Sequence, residues 1–134
     1  MPQMNMFNGR LVKKDGKYVV QIQDAEIVLS EQKQKNLAAK NVEEMDVTVG
    51  ARPEHISLDY VEGGMMEGTV EVSEMMGSSV HLHLNSLGRD CIIIVPTLDL
   101  KDNTAMDIGA KVKFTFAPNA VHVFNPWDGK NLEF

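Results

Sequence analysis

A single cysteine, Cys91, stands alone among 134 residues. No disulfide can form within the chain, and a cytosolic setting is the natural expectation. Aromatic residues make up only 6%, too few for the stacking platform of a single-strand-binding groove. No run of about 18 apolar residues occurs, so no transmembrane helix is written here. The opening Met1-Pro2-Gln3-Met4-Asn5 has neither a basic start nor an apolar stretch and does not read as a secretory signal. Basic residues are also in deficit: 19 acids against 13 bases give a formal charge of −6. Binding to a phosphate backbone needs clustered Lys and Arg, so nucleic acid is not an expected partner.

Hydrophobic content is 43%, enough for one compact domain or two very small lobes sharing a core. The charge is unevenly spread. Residues 1–40 carry seven Lys/Arg and four Asp/Glu, residues 41–76 one Arg and nine acids, and residues 77–134 five bases and six acids. The acidic middle reads as a solvated face; its sharper reading is a patch that meets a basic partner.

The dominant hydrophobic period is two. Leu11 to Ile22, broken by Asp15-Gly16, predicts a hairpin with both turn residues at positive φ. A short strand is expected over Ala25–Leu29. Ser30 is placed to cap one surface helix near 31–40, with an apolar stripe of Leu37, Ala38 and Ala39. Alternation resumes at Met45–Ala51 and again at Ile56–Tyr60. Glu67–Glu74 is expected as a strand with Gly68, Val70 and Val72 inward. Val80–Leu84 alternates cleanly, whereas Cys91–Val95 is apolar on both faces and predicts a covered central strand. Thr97–Gly109 reads as loop. Lys111–Phe116 and Ala120–Phe124 follow as strands, then a turn containing Trp127. Nine or ten short strands and one helix predict an all-β, OB-like Greek-key barrel, or two small barrel-like lobes.

Val49-Gly50-Ala51-Arg52-Pro53-Glu54-His55 is the most distinctive stretch. Proline fixes its own φ, removes a donor and holds Arg52 extended. Arg52, Pro53 and Glu54 are therefore expected to form a held structural corner, with Glu54 close enough to pair with a nearby base.

Reactive chemistry finds little support. Gly63 and Gly68 have the spacing of a phosphate loop, but Thr69-Val70 follow where Lys and Ser/Thr belong. His81 and His83 leave one face of a strand, yet a zinc site needs further ligands, so no metal is expected. Cys91 lies in an apolar run, as a small hydrophobe would. Ser78 and Ser79 fit ordinary turn chemistry. No catalytic residue and no cofactor is assigned. His81, His83, His122 and Trp127 are the candidate contact surface. For Trp127, in a turn beside Pro126 and Asp128-Gly129, a plug over the end of the barrel is the favoured reading and a contact anchor the second. The pairs Met65-Met66 and Met75-Met76 put one side chain on each face of a strand, inward for the core and outward as an adaptable surface.

Four segments carry a resemblance: Pro2–Gly9, the Val49–His55 corner, Glu67–Ser78, and Gly109–Phe116 with Ala120–Phe124 and Gly129–Leu132. Together they resemble the C-terminal regulatory domain of the ATP-binding subunit of bacterial ABC importers of the maltose and multiple-sugar type. Asn125 departs from a common Asp, Pro126-Trp127 is unusual, and residues 30–44 are longer and more helical than the family pattern. The resemblance implies an OB-type fold in two lobes, one regulatory domain over 1–134, and a non-catalytic role. ATP and Mg would belong to an ATPase domain ahead of residue 1. It further implies a homodimer through this domain, permease subunits reached through the parent chain at the inner face of the cell membrane, sugar uptake, and in some members a regulatory protein. Two rival readings remain: a β-barrel sensing a small oxyanion or sugar, and an oligonucleotide-binding OB module.

Overall fold

A computed structural model describes residues 4–86, 88–99 and 107–134. β1 (Asn5–Lys14) turns into β2 (Lys17–Ile22) through Asp15 and Gly16, at φ 52° and 78°. That two-residue geometry matches the twist of the flanking strands. β3 (Ala25–Val28), α1 (Glu31–Ala39) and β4 (Met45–Ala51) follow. A 3₁₀ turn at Pro53–His55 leads to β5 (Ile56–Ser57). Then come β6 (Met66–Met75), β7 (Ser79–Ser86), β8 (Arg89–Pro96), a 3₁₀ turn at Thr97–Asp99, β9 (Lys111–Phe116) and β10 (His122–Phe124).

The strands form two five-stranded sheets, ordered β10-β4-β1-β2-β3 and β5-β9-β6-β7-β8, with antiparallel registers throughout the described pairs. One hydrophobic cluster serves both. Phe7 of β1 lies 5.6 Å from Phe116 and 6.5 Å from Phe114 of β9, ring centre to ring centre. The chain passes from the first sheet to the second at Ala51–Ile56 and returns at Phe116–His122. The corner thus joins the two sheets.

The structure corrects several expectations. The register of β6 against β7 shifts between Val70 and Val72, with Glu71 as the extra residue. Such a bulge reverses the facing of everything beyond it, and Val72 is 48% exposed instead of inward. β8 lies at a sheet edge, not in the centre. Its outer apolar residues, Ile92 and Ile94, are half-buried. The edge is capped by a side chain: Asn5 Nδ2 donates to Ile92 O (2.8 Å) and Asn5 Oδ1 accepts from Ile92 N (2.9 Å). One amide thereby does what a neighbouring strand would do for that residue. Only Ile56 and Ser57 of the Ile56–Tyr60 piece pair in a sheet.

Helix α1 buries Lys33 and Leu37, four apart, while Ala38 and Ala39 are exposed. Ser30 occupies the N-cap position without a side-chain cap bond. Gln34 anchors the helix instead, its Oε1 accepting from Tyr18 N (2.7 Å) and its Nε2 donating to Tyr18 O (2.8 Å). Most of the expected 97–109 loop, residues 100–106, falls outside the described residues.

Candidate functional site

The two crossings between the sheets lie side by side. Each is a tight turn: His55 N donates to Arg52 O and Ala120 N to Ala117 O, both at 2.9 Å. Between them is an open cleft of about 550 Å³, lined by Glu54, His55, Ser57, Ala117, Asn119 and His122 among others. Pro53 is buried and holds the turn; Arg52, Glu54 and His55 face solvent. The pairing expected for Glu54 with a nearby base is not found among the described residues. Gly50 pairs with His122 across β4 and β10. A Cβ there would run into the flexible Met4 side chain and come to 3.0 Å from the Phe124 ring, so a larger residue at Gly50 would have to displace Met4.

His122 is half-buried. Burial lowers its pKa below the usual imidazole value, the positive charges of Lys33, Arg52 and His55 push the same way, and Glu133 opposes them. The neutral ring is thus the favoured form in the fold. Beneath it, Lys33 Nζ meets Glu133 Oε2 at 2.7 Å with side chains 8% and 2% exposed. Asn36 Nδ2 donates to the other carboxylate oxygen at 3.1 Å. This pair ties α1 to the end of the chain.

The remaining sequence-predicted contact residues lie elsewhere. His81 and His83 project from the outer face of β7, half-buried, and His83 Nε2 is 2.5 Å from Glu74 Oε1. Trp127 occupies the tip of a hairpin formed as Asn131 bridges back to Phe124. Asn125 Oδ1 accepts from Trp127 N at 2.8 Å, closing the turn as an Asp would. Trp127 is 78% exposed, so it does not plug the barrel. The four contact candidates therefore occupy three places: a sheet face, the crossing cleft and a hairpin tip. Only His122 joins the corner. Among the described residues no group of three or more His, Cys, Asp or Glu is placed to hold a metal. Burial pushes the Cys91 thiol up to about 12, which keeps it protonated and unreactive.

Sequence reasoning missed Asn5, Lys33 and Glu133. Asn5 carried a signal, a polar residue at an inward position of an alternating strand. Lys33 carried one too, lying four residues before Leu37 on the same helix face. Glu133 carried none.

Residues 1–56 match the MalK OB fold domain, and residues 49–124 match the TOBE domain. The chain belongs to the TOBE domain family. The TOBE and OB matches overlap at residues 49–56, which is the corner, so the boundary between the two family patterns is also the crossing between sheets. An 88-residue stretch is 32% identical to the sn-glycerol-3-phosphate import ATP-binding protein UgpC of Ruegeria sp. (strain TM1040), covering 64% of this chain and 23% of that protein. A stretch of 86 residues is 33% identical to the protein of the same name from Ruegeria pomeroyi (strain ATCC 700808 / DSM 15171 / DSS-3), with the same coverage. The chain thus spans under a quarter of the length of these curated relatives, which are ATP-binding subunits of importers. The matched parts are the OB and TOBE domains, not an ATPase domain. Among solved structures, the cytoplasmic molybdate-binding protein ModG with molybdate bound superposes with a TM-score of 0.67 at 14% identity, covering 91% of this chain and 96% of that one. That likeness supports the all-β, OB-like fold. No helix among the described residues is long and apolar enough to cross a membrane.

Proposed function

We propose that this TOBE chain is the dimerisation and regulatory module of the ATP-binding subunit of an importer for sugars or sugar-related solutes. The observation that carries the reading is the combination of matches: the chain joins an OB and a TOBE portion, and 64% of it aligns with a relative named as an import ATP-binding protein. The whole chain is read as one regulatory domain at the cytoplasmic face of the membrane, attached to an ATPase domain and through it to permease subunits. Two sheets on one core suit a scaffold that tethers two moving domains at high effective concentration without blocking their motion. Its twin would bury about 800 Å² per partner, about a tenth of the 7942 Å² surface. His81 and His83 on β7 and Trp127 at the hairpin tip are the proposed contacts, with Arg52, Pro53 and Glu54 as the structural corner.

Sedimentation equilibrium tests this. Self-association at micromolar protein, weakened by His81→Glu with His83→Glu, supports the reading. A chain that stays monomeric at the highest attainable concentration removes the dimerisation half. The likeness to ModG favours a second reading, an oxyanion sensor. Calorimetry with molybdate, phosphate and simple sugars separates the two, because flat traces eliminate the sensor.

A further inference from the structure

Glu54 looks out on a second groove, away from His122. Two adjoining depressions of about 420 and 590 Å³ share Glu54, Ile94, Pro96 and Leu98. One continues past Leu58 to Asp59, the other to Ser78 and Ser79. The larger depression is mainly apolar and the smaller one more polar; the floor they share is Ile94, Pro96 and Leu98, and Leu98 is 96% exposed on its 3₁₀ turn. Thr97 N donates to Ser78 O (2.8 Å) and Thr97 Oγ1 to Gly77 O (3.2 Å). These bonds hold the β6–β7 turn, with exposed Met75 and Met76 leading into it, against the same end of the groove. The charged residues that line it are acids, Glu54 and Asp59; no Lys, Arg or His does so among the described residues.

Each part has a physical meaning. An exposed aliphatic strip gains free energy when an apolar face covers it. Carboxylates at the rim, without an ion pair among the described residues, favour a cationic visitor and repel an acidic one. The charge is not local accident, since residues 41–76 hold nine acids and one Arg.

We propose that this groove docks a basic amphipathic helix of a partner protein, its apolar face on Ile94, Pro96 and Leu98 and its Lys or Arg side chains on Glu54 and Asp59. This is the helix-in-groove mode of recognition. It deepens the regulatory half of the function proposed above and rests on that half, not on dimerisation. A regulator seated here touches the corner that joins the two sheets, the one element shared by the OB and TOBE patterns.

The test uses the whole chain and a fluorescent model helix with Leu on one face and Lys on the other. A matched control has Ser in place of Leu. Anisotropy is read for the native chain and for Glu54→Lys combined with Leu98→Ser, both exposed positions. Expected are saturable binding of the Leu/Lys helix, at least about tenfold weaker binding to the variant, and little binding of the Ser control. Equal binding to native chain and variant, equal binding of the control helix, or no binding of the Leu/Lys helix would each overturn the proposal. Sedimentation of the same variant separates it from the dimer reading. Unchanged self-association agrees with a distinct groove, whereas lost self-association assigns the groove to a second copy and overturns the helix. A monomeric native chain that still takes the helix sinks dimerisation alone.

Discussion

Asn5 is 6% exposed, and its side chain satisfies both backbone groups of Ile92, a residue 87 positions away. Removing it strands a partly buried N–H and C=O at the sheet edge. Asn5→Ala should therefore cost about 1–3 kcal/mol, the range for leaving buried polar groups unpaired, read as a lower urea midpoint at unchanged slope. Asn5→Asp should be no better despite its matching shape. A carboxylate can accept from Ile92 N but cannot donate to Ile92 O. If Asn5→Asp unfolds at the native midpoint, the two-bond cap is not what secures the edge. Gly9 shows the same dependence on close approach, since a Cβ there would lie 2.8 Å from the Gln21 carbonyl oxygen of the paired strand.

At the scale of elements, α1 and the chain end form one unit. The helix is too short to persist alone. It is held by Gln34 on the Tyr18 backbone, by Tyr18 Oη donating to Val42 O (2.5 Å), and by the buried Lys33–Glu133 pair. A buried ion pair contributes little net stability over a well-packed apolar pair, but losing one partner leaves an uncompensated charge. Lys33→Met or Glu133→Leu alone should cost about 3–5 kcal/mol, while the two together should restore most of it. Chemical denaturation of the four-member cycle checks this, and simple additivity would disprove the coupling. Glu133 follows the hairpin that carries Trp127, so the same pair anchors the chain just beyond that hairpin.

For the whole molecule, the question is whether two sheets and two family patterns make one cooperative unit. Residues of both sheets share one core cluster. β10, from the far end of the chain, completes the first sheet by pairing with β4. A cut at the overlap of the OB and TOBE patterns would leave each part without a strand or a core wall. Thermal unfolding should therefore be a single transition with calorimetric and van't Hoff enthalpies equal. Two resolved transitions would mean that the lobes fold separately.

Local rules determined much of this protein directly from its residues. The period of two, the Asp15-Gly16 turn, the extended Arg52 before Pro53 and the lack of phosphate-loop chemistry each depend on neighbours in the chain, so they are visible in it. The all-β OB-like class follows from them. Tertiary structure alone decided that Val72 faces out beyond a bulge, that the apolar β8 is an edge, that Asn5 caps it, and that Lys33 meets Glu133. These depend on partners brought together from distant positions, 100 residues apart in the last case, and no periodicity records such a meeting. The corner belongs to both categories. Its backbone shape is written in Arg52-Pro53-Glu54, but its position between two sheets, with a groove on either side, exists only once the chain has crossed and returned.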